Sequence, residues 1–207
     1  HLGDPRLDSS GVRLETSYAH ARTSVGQELA VLGIEGDAEI LAVRGVIPDT
    51  LTPQCNSSWT AELVMKQVFN TGLEKALFIS EDDVRALGLG HRGTLFATDS
   101  KLQLAHNVTF FQGTGKLLGG SEKGDAFTSR AAAGADNEFS KATAEAVLIY
   151  KLGKHTFALG RFSGQVADDA LMVPEQFALG GPDSVRGFEQ GEFLGDVGYT
   201  FGAELRQ

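Results

Sequence analysis

"DVGYTFGAELR", residues 196–206, sets Val197, Tyr199, Phe201, Ala203 and Leu205 on one side of an extended chain and Asp196, Gly198, Thr200, Gly202, Glu204 and Arg206 on the other. Successive side chains of a strand point to opposite faces, so this alternation predicts a strand with one apolar and one wet face. The period recurs upstream. Segment 101–112 opposes Leu102, Leu104, Val108 and Phe110 to Lys101, Gln103, Asn107 and Thr109, with His106 as the one polar residue on the apolar side. Segment 12–21 opposes Val12, Leu14, Thr16 and Tyr18 to Arg13, Glu15 and Ser17. In segment 57–68, Trp59, Ala61, Leu63 and Met65 oppose Ser58, Thr60, Glu62 and Lys66, although "AELVMKQVFN" also fits a short helix. Weaker alternation at 38–47, 86–98, 143–152 and 155–165, broken by residues such as Arg44 and Arg161, brings the predicted strands to eight.

The joins carry turn or loop chemistry: "GIEGD" at 33–37, "TDSK" at 98–101, "LGK" at 152–154, and a long Gly- and Ser-bearing run from Gly113 to Ser140. Short joins alternating with long ones predict antiparallel hairpins with a tight side and an elaborated side. Outer-membrane barrels show this asymmetry, and soluble β-sandwiches can show it too. The polar positions, among them Arg13, Glu15, Glu62, Lys66, Lys101, Gln103, Asn107, Asp196, Glu204 and Arg206, would all face a water-filled lumen in a barrel.

Composition narrows the classes. The 207 residues carry a net charge of -9, so an electrostatic grip on nucleic acid phosphates is excluded as the main activity. No window approaches the roughly 20 consecutive apolar residues of a membrane helix. A membrane strand needs only about 9–11 alternating residues, so the mean hydropathy of -0.09 is compatible with a barrel. The single cysteine, Cys55, offers neither an internal disulfide nor a second thiol ligand. The chain opens at His1 without a charged or apolar leader, so any export signal is expected upstream of this stretch.

The stretch "LGGPDSVRGF" at 179–188, followed by "GDVGYTFGAEL" at 195–205, resembles the signature of the translocators of bacterial two-partner secretion, the hemolysin/adhesin secretion-activation family. "SYAHARTSVGQELAVLGIEGDAE" at 17–39 looks like the family's early barrel region, and residues 136–181 look like the hairpin that feeds the loop. The resemblance implies an all-β fold: an antiparallel transmembrane β-barrel, here partial, with eight of sixteen strands. Residues 1–207 would be one partial barrel domain, and 166–195 a long loop carrying the Val-Arg-Gly-Phe motif, folded into the lumen. If 196–206 is strand twelve, the seven earlier segments become strands five to eleven.

The resemblance further implies an outer-membrane location in a Gram-negative bacterium, a secreted partner exoprotein, contact with membrane lipid, and periplasmic POTRA modules in the parent chain but not here. It implies no cofactor and no enzymatic activity. The loop motif is Gly180, Gly181, Val185, Arg186, Gly187 and Phe188, with Gly195, Asp196 and Glu204 as candidate lumen partners. A guanidinium stays charged at biological pH and binds carboxylates bidentately, so Arg186 is expected to need one. Gly187 and the Gly180-Gly181-Pro182 turn let the backbone reverse close to the wall. Three alternatives stay open: an assembly factor of the related barrel superfamily, a soluble β-sandwich binding module, and an enzyme, which would need Asp196 and Glu204 to face a pocket with perturbed pKa values.

Other features read as structural. The five histidines show no metal-ligand spacing. The pairs Asp82-Asp83 and Asp168-Asp169 are expected in loops, as solvated or capping carboxylates. Ser184 lacks the Gly-x-Ser-x-Gly context of a hydrolase nucleophile, and "GTGKLLGG" at 113–120 is too short for a phosphate loop.

Overall fold

The computed structural model describes residues 11–24, 35–72, 77–98, 101–181, 184–185, 187–189 and 191–207. Ten strands appear among them: β1 (Arg13–Ser24), β2 (Glu35–Leu51), β3 (Cys55–Gly72), β4 (Leu77–Phe96), β5 (Leu102–Gly113), β6 (Ser140–Lys151), β7 (Phe157–Ala167), β8 (Phe177–Leu179), β9 (Phe193–Gly195) and β10 (Gly198–Arg206). Eight of them make one antiparallel sheet in the order β1-β2-β3-β4-β5-β6-β7-β10, and β8 pairs with β9 in a separate ribbon. All eight predicted segments are strands of the large sheet, including 57–68, where the helical option is not taken.

The register carries the alternation across the whole sheet. Trp59 lies opposite His91, His91 opposite Val108, Val108 opposite Ala144 and Ala144 opposite Gly164. Gly164 lies opposite Tyr199, so Trp59, Val108 and Tyr199 share one face. Arg44 lies opposite Glu62 on the other face. Because the side-chain period is 2, a slip of one residue in any pair would mix the two faces.

The apolar face is bare. Tyr199 is 74% exposed, Phe201 72% and Leu205 71%, and Trp59, Leu87, Leu89 and Phe110 are also exposed. A soluble sandwich would bury this face under a second sheet, and none covers it among the described residues; the sandwich alternative is thereby overturned. Leaving a large apolar side chain in water forgoes about 1.5–3 kcal/mol. A row of such side chains along every strand belongs against hydrocarbon. His106 does sit on this face. Its ring stacks on His91 at 5.1 Å, with Nε2 3.0 Å from His91 Nδ1, and His91 meets Trp59 edge-on at 4.8 Å. Gly93 makes the room, since a Cβ there would lie 3.1 Å from His106 Cε1 and 2.9 Å from Ser57 Cβ.

One expectation is corrected. Asp82 and Asp83 are not in a loop but inside β4, which starts at Leu77 and not near residue 86. Adjacent carboxylates resemble a turn or cap in sequence. In the fold they take opposite faces of a strand that has outgrown the membrane. At 18 and 20 residues, β3 and β4 far exceed the about 9–11 residues a tilted membrane strand needs. On the apolar-face parity of β4, Leu87, Leu89 and Leu95 give way to Arg85, Asp83 and Glu81. The β3–β4 hairpin therefore projects beyond the membrane on the side of the long connections. Those connections are 114–139 and 168–197. Short joins at 52–54, 97–101 and 152–156 mark the opposite end, and the joins at 25–34 and 73–76 lie outside the described residues. No described helix is long and apolar enough to cross a membrane, which leaves strand crossing untouched.

Candidate functional site

β4 runs past the end of β5, where Ala86 lies opposite Gly113. The backbone of residues 81–85 would then lack a neighbour on that edge, and buried amides and carbonyls must be paired. The 114–139 connection supplies the pairs: Thr114 N–H donates to Arg85 O (2.9 Å), Ser121 N–H to Asp83 O (2.9 Å) and Glu81 N–H to Phe127 O (2.9 Å). Fully buried Asn137 completes the seam. Its Nδ2 donates to Arg85 O (3.0 Å) and Gly115 O (2.8 Å), while its Oδ1 accepts from Arg85 N–H (3.1 Å).

Residues 168–176, the start of the 168–197 connection, fold over this seam on the polar face. Leu171 and Met172 are fully buried against Val84, Ala86, Ala135 and Phe139, with Phe111, Ala167 and Ala170 around them. This small dry core is the main one among the described residues, and it joins the wall to two loops. A single 3₁₀ turn, Val173–Glu175, follows with proline in its first positions.

That turn delivers Glu175 to the wall. Its Oε1 lies 2.6 Å from Lys66 Nζ and its Oε2 2.7 Å from Lys141 Nζ. Lys66 stands on β3 and Lys141 on β6, three strands apart, so one carboxylate bridges them. Backbone contacts reinforce the bridge: Lys141 Nζ donates to Glu175 O (2.9 Å), Gln165 Nε2 to the same oxygen (3.0 Å), and Lys66 Nζ to Pro174 O (3.1 Å). Burial pushes the Glu175 carboxyl up, but the Lys66 and Lys141 ammonium groups outweigh it and hold the group below the usual carboxylate range.

A second hub ties the two connections to each other. Asp196 Oδ1 accepts from Arg130 Nη1 (2.5 Å), Gln176 Nε2 (3.0 Å) and Leu171 N–H (3.1 Å), and Arg130 Nη1 also donates to Leu171 O (2.7 Å). Burial pushes the Asp196 carboxyl up, and the Arg130 and Gln176 donors bring it net below its ordinary value. Buried Asp82 accepts from Ser129 N–H at Oδ1 (2.8 Å), and Ser129 Oγ accepts from Val173 N–H (3.1 Å). Asp82 Oδ2 has no hydrogen-bond partner, and burial pushes this carboxyl up.

The predicted loop motif sits beyond this core. The β8–β9 ribbon closes its base, pairing Phe177 with Gly195, Ala178 with Leu194 and Leu179 with Phe193. Gly180, at φ +111, makes a turn no side chain could enter, since a Cβ there would lie 2.0 Å from Glu189 O. Gly181 and Gly187 also have positive φ. Ser184 Oγ accepts from Gly180 N–H (2.9 Å), Gly181 N–H donates to Phe188 O (3.1 Å), Phe188 N–H to Val185 O (3.5 Å), and Phe188 meets Phe193 edge-on at 5.7 Å. Arg186 and Pro182 lie outside the described residues. Ser184 shares a pocket of about 250 Å³ with Glu145, Arg161, Thr200 and Glu204. Glu204 itself lies 2.6 Å from Arg206 and 3.6 Å from Arg161.

Farther toward the short turns the polar face carries a row of charges. Arg44 lies 2.7 Å from Glu62 and 3.8 Å from Glu15, and Arg92 reaches Glu15 at 3.0 Å. Sequence reasoning placed Glu15, Glu62 and Lys66 on the wet face but missed Glu175, Lys141, Arg130 and Asn137 as contact makers. Only Lys141 carried a signal, since extending segment 143–152 by one more period puts it on the polar side.

Residues 53–207 match the family described as haemolysin secretion/activation protein ShlB/FhaC/HecB. Among solved structures the chain is similar to CdiB from Escherichia coli, with 19% identity, a TM-score of 0.75, and coverage of 94% of this chain and 35% of that one. It is also similar to CdiB from Acinetobacter baumannii, with 16% identity, a TM-score of 0.67, and coverage of 94% and 34%. The chain thus spans about a third of the length of the solved structures it matches. A search of curated protein sequences finds no match.

Proposed function

The chain belongs to the haemolysin secretion/activation family of outer-membrane β-barrel transporters, and on that premise we propose that it is part of the wall, and the resident loop, of a pore passing an unfolded exoprotein in two-partner secretion. The apolar face meets lipid, the polar face lines the lumen, and the long connections face the cell exterior. POTRA modules of the parent chain stand on the side of the short turns.

One observation carries the reading: Glu175 lays the 168–197 connection across the polar face by bridging Lys66 and Lys141. A wall that served only as a scaffold has no need of a buried carboxylate bridging strands three apart. A pore that must stay closed to small solutes, yet open for a client, gains from a loop held by a few separable contacts. The carboxylates that share a pocket with the tip residue Ser184 are Glu145 and Glu204, and either is a counter-ion candidate for Arg186. Asp196, engaged by Arg130, anchors the base of the loop instead. No observation favours the assembly-factor alternative.

The test uses the full-length protein in planar lipid bilayers. Glu175→Gln should raise the frequency of large conductance openings while the barrel keeps its resistance to unfolding in cold detergent gels. Unchanged conductance with an intact barrel would remove the loop from the gating role. Arg186→Ala should lower export of the client in cells without lowering the amount of barrel in the membrane.

A further inference from the structure

The short-turn end of the polar face breaks the alternation rule. Phe96 lies opposite Gln103, Gln103 opposite Ile149, and Phe157 opposite Lys151, all on the lumen parity. Three large apolar side chains, Phe96, Ile149 and Phe157, therefore gather at the short-turn rim of this face, apart from the loop core at its other end. With Lys101, Lys151, Lys154 and His155 they line a niche of about 600 Å³ at the mouth. None of its lining residues is acidic.

Two of the cations here, Lys151 and Lys154, differ from those farther up the wall. Arg44, Arg92, Lys66, Lys141, Arg161 and Arg206 each lie against a carboxylate. Among the described residues, Lys151 and Lys154 form no ion pair. In sequence the adjoining turns add only Asp99, which lies outside the described residues, so the mouth is net basic within a chain of charge -9. Apolar floor plus basic rim is complementary to an extended segment that alternates carboxylates with apolar side chains. Lipid headgroups suit it less, because three of its four large apolar lining residues, Phe96, Ile149 and Phe157, are on the lumen parity and only Leu102 is on the lipid-facing one.

We propose that this niche is the entry dock for acidic, apolar-bearing stretches of the client polypeptide, a substrate preference that rests on the translocator reading above. Exposed ion pairs are individually weak, so such a dock captures a chain without retaining it, as passage requires.

The experiment takes the full-length protein in nanodiscs of neutral phosphatidylcholine. Binding is followed by fluorescence anisotropy of a labelled short peptide alternating glutamate with alanine and carrying two phenylalanines, beside its lysine-for-glutamate counterpart. The glutamate peptide should bind at least about tenfold tighter, and Lys151→Glu with Lys154→Glu should erase or reverse the preference. Phe157→Ser should weaken the glutamate peptide while keeping its preference over the lysine peptide. Equal binding of the two peptides, or a charge-reversed variant indistinguishable from the parent, overturns the proposal. So does loss of the signal to competing phosphatidylglycerol vesicles, which would assign the niche to headgroups. Bilayer conductance of the same preparation separates the two claims: a pore without peptide preference sinks only the dock, and the absence of any pore sinks the translocator reading itself.

Discussion

The two ends of the polar face are built on different physics. At the long-connection end, Leu171, Met172 and Phe139 seal an apolar core over Val84 and Ala86, and beside it buried Glu175 and Asn137 are locked by short contacts. At the short-turn end the face is open and its charges, such as Arg92 against Glu15, remain partly exposed. The same alternating strands serve both. The difference teaches that an ion pair's worth here depends on what covers it: the same Coulomb attraction is screened at one end and concentrated at the other.

The sharpest way to break this contrast is Glu175→Ala. It leaves Lys66 and Lys141 facing each other across a buried gap, at a cost of about 3–5 kcal/mol. Protease cleavage within 168–176 of the full-length protein should accelerate, and resistance equal to the parent would show that the pair is not what seats the loop. Asn137→Ala comes next, at about 1–3 kcal/mol, because it strands the Arg85 amide, while the Arg85 carbonyl keeps its Thr114 donors. Hydrogen exchange at Arg85 should speed up while exchange at Leu104 and Leu148 stays slow.

Acidification sharpens the comparison further. The folded Glu175 carboxyl sits below its unfolded value, so its contribution is complete above the ordinary carboxylate range and is lost as pH falls through the folded value. Asp82 has the opposite sign. Its folded value is raised, so its contribution is present below the unfolded value and lost as pH rises through the folded one. Asp82→Asn should therefore keep the loop docked at neutral pH and remove the part of the pH profile that declines toward neutrality. A proteolysis-against-pH series on both proteins would expose a wrong sign. The smallest effect belongs to Arg92→Ala, below about 1 kcal/mol, since both partners stay partly in solvent. Cleavage within 168–176 should not change, and a loop that loosened would mean the two ends are coupled.

The eight wall strands were legible because period 2 recurs along the chain, strongly at 12–21, 57–68, 101–112 and 196–206 and more weakly in the other four, with His106 the sole polar residue on the apolar side of segment 101–112. The beginning of β4 was not. Leu77, Phe78 and Ile79 run consecutively and Asp82-Asp83 mimics a cap, so the strand's extension becomes visible only when the 114–139 connection is seen pairing with it. The loop's turn chemistry at Gly180 and Gly187 was readable from glycine alone. Its anchor was not, since nothing in "MVPEQF" reveals that Glu175 faces two lysines separated by three strands in space and 75 residues in sequence. Contacts of that kind depend on curvature, which pattern does not encode.

The projection of β3 and β4 past the lipid also has a mechanical side. The loop core grips β4 at Val84 and Ala86, where Arg85 between them turns to the opposite face and donates to Lys66 O, Leu118 O and the Asp83 carboxylate. Lateral pressure from the bilayer acts lower, on the stretch bearing Leu87, Leu89 and Leu95. A thicker or thinner membrane would thus squeeze the open half of the wall and leave the seat of the loop unstrained, which decouples the loop's docking from the elasticity of the lipid around it.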